Sequence, residues 1–269
     1  MTLLSTDGAT IAYERAGSGP PVLLIQGVGV IGRGWQPQIE GLASEYSLYT
    51  FDNRGIGGST MDGRALSIEA MAGDALAVMD ASGVARFHVV GHSMGGVIAQ
   101  EVALRAPARV RSLCLMCTVV RGRDASGLTL PMIITGLRTR IGTRAMRRRA
   151  FLDLVMPPDA LRSIDRAALC DRLGGLFGHD LADQPPIVMP QIRAMARYDA
   201  RERLAQLAAI PTLVMSAAHD RIAPPASGRQ LAAAIPGARY VEYPDAGHGL
   251  PIQHADRVNA ALREHFGRG

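Results

Sequence analysis

Short runs rich in β-branched and apolar residues recur along this chain at Val22 to Gln26, Ser47 to Phe51, Phe87 to Val90, Ser112 to Val119, Thr212 to Ala217 and Arg239 to Tyr243. Between them, Ser67 to Ser82, Val97 to Ala106, Ser227 to Ile235 and Asp256 to Phe266 carry apolar residues at helical spacing. This alternation restricts the possible folds. Parallel strands need long crossovers, and helices used as crossovers cover both faces of the sheet. The predicted class is α/β, a mostly parallel twisted sheet of about eight strands with helices on both faces. Before it, Leu3 and Thr10 to Glu14 flank Asp7-Gly8, a hairpin signal that predicts an antiparallel start.

The alternation stops between residues 120 and 200, where helix-like stretches (130–137, 145–155, 161–176) are broken by Pro157-Pro158 and Pro185-Pro186. Roughly 80 residues in short pieces would not bury a core of their own, so this region is expected to be a helical lid inserted over the sheet. The expected organisation is core 1–119, lid 120–200 and core 201–269.

Composition removes several classes of function. No stretch approaches the run of roughly 20 apolar residues that a membrane span needs, and the first residues lack the pattern of a secretory signal, so a soluble cytoplasmic protein is the expectation. All 29 basic residues are arginine, which removes lysine Schiff bases, pyridoxal phosphate attachment and the P-loop. The arginines of "LRTRIGTRAMRRRA" have no interleaved aromatics and read as a solvated helix face, so neither nucleic acid nor membrane is an expected partner. The 3 cysteines suggest no disulfide framework; Cys114 and Cys117 form C-x-x-C within an apparent strand, where residues three apart face opposite ways.

Gly27, Gly29 and Gly32 spell G-x-G-x-x-G after an apolar strand, with Asp52 downstream where a dinucleotide site would keep its ribose acid. That site needs a helix to begin inside the glycines. Pro37 instead fits the first turn of a helix starting near 37, which leaves 27–36 as an extended loop, and Asp52 enters the turn "DNRGIGGS", whose backbone it is expected to cap. No cofactor is expected.

The stretch "FHVVGHSMGGVIAQEVA" carries the chemistry. Gly91-His92-Ser93-Met94-Gly95 is G-x-S-x-G between a strand and a helix, the context of a nucleophile elbow. Ser93 would project from a strained turn, flanking glycines would avoid collision, and the Met94 amide at the helix start would face an anion formed beside Ser93. A serine nucleophile needs a base oriented by an acid. Asp220 ends the strand in "IPTLVMSAAHD" and His248 follows the strand in "ARYVEYPDAGHGLP", so both would emerge at the sheet edge that holds Ser93. Asp245 and Asp124 compete for the acid's role, although Asp245 is expected to bond local amides. His92 is expected to be packed or hydrogen-bonded, and His219, which could line the entrance, to be an incidental surface residue. His88, His179, His254 and His265 have no supporting context, and no histidine and carboxylate spacing implies a metal.

"GHSMGG", "FDNRGIGGS", "HDRIAPP" and "DAGHG", in that order, make the chain resemble the α/β-hydrolase-fold superfamily, in particular its serine esterases and enol-lactonases. The resemblance implies that Val28 supplies a second oxyanion amide beside Met94, and it departs from the family's frequent His-Gly at Gln26-Gly27. It implies cleavage of a small to medium ester or lactone through an acyl-enzyme. A lid-gated ligand sensor, a C–C bond hydrolase and a perhydrolase share the same constellation. A serine at the elbow opposes dehalogenase or epoxide hydrolase chemistry. Expected substrate contacts are Trp35, Met132, Leu137, Met156, Met189 and Met195, with Arg121, Arg123 and Arg193 available to a carboxylate.

Overall fold

The computed structural model describes residues 1–125, 134, 136–162 and 164–269. A sheet runs in the order β1-β2-β4-β3-β6-β7-β8-β9, with β5 pairing β2. β1 (Thr2–Thr6) and β2 (Ala9–Ala16) form the expected antiparallel hairpin, and β2 also runs antiparallel to β4 (Ser47–Phe51) and β5 (Thr60–Met61). From β4 onward the neighbours are parallel: β3 (Pro21–Ile25), β6 (Phe87–His92), β7 (Val110–Met116), β8 (Thr212–Ala217) and β9 (Arg239–Tyr243).

The two-residue period of a strand explains how the sheet is buried on both faces. Leu23 and Ile25 of β3, Phe87 and Val89 of β6, and Leu113 and Leu115 of β7 join one core, with α2 (Ile68–Ala81) and α3 (Met94–Arg105). The intervening Val22, Leu24, Val90, Cys114 and Met116 join a second core, with α1 (Gln36–Leu42) and the later helix Ala255–Phe266. Each fully buried aliphatic side chain contributes about 1.5–3 kcal/mol, so this two-sided burial dominates the stability of the fold.

Three local expectations are corrected, two of them after strand β3 and at the end of β7, and the third at the start of a helix beyond β7. β7 ends at Met116 rather than Val119, because Cys117 adopts φ 47 and leaves the strand. Residues 32–35 are not extended; Gly32–Trp35 forms a 3-10 turn leading into α1, with Pro37 in its first turn.

Between β7 and β8 lie α4 (Arg144–Val155), α5 (Arg166–Phe177) and α6 (Val188–Arg197). Thr143 caps α4 by accepting from the Met146 amide. Asp165 caps α5 by accepting from Ala167 and Ala168, so this helix begins at 166 rather than near 161. Leu152, Leu161, Leu169, Cys170, Leu173 and Leu181 make a small separate cluster here. The chain then continues through α7 (Pro225–Ala234), α8 (Leu250–Gln253) and α9 (Ala255–Phe266). No helix among the described residues is long and apolar enough to cross a membrane.

Candidate active site

The carboxyl ends of β3 and β6 are neighbours, but the chain leaves β3 for β4 on one side and reaches β6 on the other. Such a switch point opens a crevice in a parallel sheet. Ser93 follows β6 there, at φ 56 and ψ −123. A non-glycine residue at positive φ is strained, and the surrounding bonds hold it. The Ser93 amide donates to the Met116 carbonyl at 2.9 Å, and the Ser93 carbonyl accepts from Thr118 Oγ1 at 2.7 Å and from the Gly96 amide at 2.9 Å. The glycines of the motif have a steric cause. A Cβ on Gly91 would lie 2.2 Å from the Gly95 carbonyl oxygen, and one on Gly95 would lie 2.0 Å from that of Ile25.

Asp220 follows β8 and is 4% exposed, while His248 follows β9 and is 7% exposed. The Asp220 Oδ1 accepts from the Ile222 and Ala223 amides at 2.8 and 2.9 Å, which leaves Oδ2 to face His248 Nδ1 at 2.8 Å. His248 and Ser93 line the same cavity, of about 540 Å³. Among the described residues no hydrogen bond joins the Ser93 hydroxyl to the imidazole. Such bonds are commonly long in an empty site and tighten around substrate. The Val28 and Met94 amides likewise make no hydrogen bond among the described residues and are free to receive an anion. The loop carrying Val28 runs close to Ser93: a Cβ on Gly27 would stand 3.0 Å from Ser93 Cβ. Gln26, where the family often has histidine, turns its Oε1 back onto the Gly27 amide at 3.2 Å, and its carbonyl accepts from Asn53 Nδ2 at 3.1 Å.

The competing residues are engaged elsewhere. Asp124 pairs with Arg121 at 2.5 Å. The Asp245 carboxylate pairs with Arg257 at 2.8 Å and also meets its own backbone amide, and both, Arg257 foremost, lower its pKa. Asp52 does cap its turn, accepting from the Gly58 amide at 2.9 Å, and it also accepts from Gly32 at 2.7 Å. The His92 Nε2 lies 2.8 Å from the His248 carbonyl, and burial depresses its pKa to about 3, so this ring is neutral. His92, Cys117 and His248 each bring one potential ligand atom within 4.8 Å of the others. His248 Nδ1 is bonded to Asp220 and His92 Nε2 to the His248 carbonyl, so both histidines spend a ring nitrogen on the protein. His219 is exposed.

Of the expected substrate contacts, Met156 and Met195 line the cavity. Trp35 does not: the 3-10 turn carries it into the core, 0% exposed and edge-on to His92 at 6.5 Å. Leu137 is 50% exposed and outside the lining, and the Met189 sulfur is occupied by Arg140 Nη2 at 2.8 Å. Met132 lies outside the described residues. Of the arginines considered, Arg123 lines the cavity, Arg121 is paired with Asp124, and Arg193 is not in the wall. Sequence reasoning missed Arg140 and Arg172 in the wall, and missed His179 and Gln191, which reach the backbone of Gly29.

Residues 20–255 match the family model of the α/β-hydrolase fold, and the chain belongs to that family. It is 35% identical over 258 residues to RutD of Azorhizobium caulinodans, provisionally assigned as a carbamate hydrolase, with 94% of each chain covered. It is 33% identical over 273 residues to BpoC of Mycobacterium tuberculosis H37Rv, provisionally assigned as a non-heme bromoperoxidase, covering 95% of this chain and 97% of that one. Among solved structures it resembles the enol-lactonase of Burkholderia xenovorans LB400, with TM-score 0.83, 26% identity and coverage of 99% and 100%.

Proposed function

We propose that the protein is a serine hydrolase that cleaves a small to medium carboxylic ester or lactone. The observation that carries this reading is the buried 2.8 Å bond between Asp220 and His248, opening with Ser93 onto one cavity beside the unbonded Val28 and Met94 amides. Asp220 accepts from Nδ1 and thereby fixes the tautomer, so His248 Nε2 is the nitrogen left to take the Ser93 proton. Ser93 Oγ attacks the carbonyl carbon, and the negative charge moves onto the carbonyl oxygen, where the two amides receive it. The alcohol leaves with the proton from Nε2. Water then attacks the acyl-enzyme by the same route and releases the acid.

The cavity limits the substrate. Its walls include Phe151, Leu154, Leu169, Leu173 and Val188, which suit an apolar acyl or alcohol group. Arg123, Arg140 and Arg172 also line it and no lining residue is a carboxylate, which favours neutral or anionic substrates over cationic ones. The sequence places no acid at positions 126–133, 135 or 163 either. Carbamate and enol-lactone carbonyls, named for RutD and the Burkholderia protein, present the same kind of electrophile as an ester.

Turnover of short p-nitrophenyl esters and of unsubstituted lactones tests the reading. Multiple turnovers that vanish in Ser93→Ala are expected. A ligand bound tightly by the wild type with at most one slow turnover would replace the enzyme with a sensor of the same fold.

A further inference from the structure

The loop that bears Val28 has little stiffness of its own. Gly27 and Gly29 flank the residue, and Gly29 sits at φ +71, so the backbone on either side is permissive. What holds it comes partly from far along the chain. On the near side, Gln26 Oε1 accepts from the Gly27 amide, as described above. On the far side, the Gly29 amide donates to Gln191 Oε1 at 2.8 Å, and the Gly29 carbonyl faces His179 Nε2 at 2.9 Å. Both residues belong to the segment between β7 and β8.

Each contact has features that packing alone does not call for. Gln191 is 0% exposed, and its Nε2 has no partner among the described residues. A half-satisfied buried amide is costly, and an apolar side chain of similar shape would avoid the cost. His179 presents its other nitrogen to the Asp180 carbonyl at 2.9 Å, and the Asp180 carboxylate is anchored by Arg148, by Arg144 at 2.6 Å and by the Ala182 amide at 2.8 Å. A neutral ring carries one N–H, so the tie to Gly29 is the tautomer in which Nε2 donates, and the ion-pair network fixes the neighbouring Asp180 rather than the ring itself. The same segment reaches the other side of the site, where the Val155 carbonyl accepts from the Gly249 amide, next to His248, at 2.8 Å.

We propose that Gln191 and His179 are positioning residues for the oxyanion amide of Val28. They hold the peptide that follows it, so the hole is complete only while the segment between β7 and β8 is docked. The proposal rests on the serine hydrolase reading for its effect on turnover, but the ties themselves can be measured separately. Removing an oxyanion donor outright lowers turnover by about 10²- to 10³-fold. Letting it wander is expected to cost roughly 10- to 100-fold, with little change in ground-state binding.

The test compares Gln191→Met, His179→Leu and His179→Gln with the wild type on a p-nitrophenyl ester. The expected result for the first two is a fall in kcat of roughly 10- to 100-fold with KM within about twofold, and a parallel loss of affinity for a trifluoromethyl ketone, whose hemiketal oxygen needs the hole. His179→Gln keeps an N–H donor and is expected to retain most of the activity. Amide hydrogen exchange at Gly29 supplies a readout that needs no activity: it accelerates in Gln191→Met if the tie is real. Should the wild type hydrolyse nothing, the hydrolase reading falls while exchange still decides whether the loop is tied. If Gln191→Met fails to fold, the His179 pair carries the test. Unchanged kcat with unchanged exchange, or equal losses in His179→Leu and His179→Gln, would overturn the proposal.

Discussion

The sheet and the segment between β7 and β8 are built by different means. The sheet is held by apolar side chains buried on both faces and by a buried ion pair, in which the Asp74 carboxylate accepts from Arg54 and from Thr6 Oγ1. The segment has a small leucine-rich cluster and leans on arginine–aspartate pairs around Asp180, where Arg148 holds the carboxyl well below its usual range. Ser93, Asp220 and His248 all stand on loops leaving strands of the sheet. Most of the apolar wall, and the ties to Gly29, come from the segment. On the proposed reading, the division separates reacting groups, which need fixed mutual geometry, from surfaces that need only select and enclose a substrate.

Several measurements would sharpen or break this contrast. The largest effect is expected from Ser93→Ala, which should lower ester turnover by on the order of 10⁴-fold or more while leaving the urea midpoint unchanged. On the sheet side, Asp74→Ala leaves Arg54 buried without its partner and should cost about 3–5 kcal/mol in urea unfolding. Acidification acts on the sheet side too. Burial lowers the pKa of both His88 and His265 from 6.5 to about 4, so the folded state prefers neutral rings. Below pH 6.5 the unfolded chain binds protons that the folded chain refuses; stability is complete above that value and drops as pH falls toward 4. The loss should reach at most about 3 kcal/mol per ring, read as a falling urea midpoint between pH 7.5 and 4.5. Asp180→Ala should cost less, about 1–2 kcal/mol, since Asp180 is 10% exposed but its partners Arg144 and Arg148 keep 61% and 26% of their side chains in solvent, and should show as faster proteolysis within residues 144–197. A global loss as large as that of Asp74→Ala would erase the distinction between the two regions.

The same contrast separates what was legible in the sequence from what was not. Strand alternation, the Asp7-Gly8 hairpin and the strand–G-x-S-x-G–helix pattern are local, and each appeared close to its expected place. Asp220 and His248 could be anticipated because strand ends in a parallel sheet converge on one edge. The cavity wall could not be read in this way, because periodicity says which face of a helix is apolar and not where that face docks. Nothing local to Trp35 signals the 3-10 turn that buries it, and nothing near Met189 signals that Arg140 covers its sulfur. Gln191 and His179 act on a backbone more than a hundred residues away, and the only local hint was the glycine pair around Val28, which signals a pliable loop but names no partner. The end of strand β7 is hidden in the sequence because the turn at Cys117 is made by a non-glycine residue at positive φ.

The central claim is that His248, held by Asp220, draws the proton from Ser93. It is tested most directly by the rate and location of labelling with a fluorophosphonate, followed by peptide mass spectrometry. One adduct per chain on the peptide containing Ser93 is predicted, forming at least about 10²-fold more slowly in His248→Ala. A label on another residue, or an equal rate without the imidazole, would contradict it.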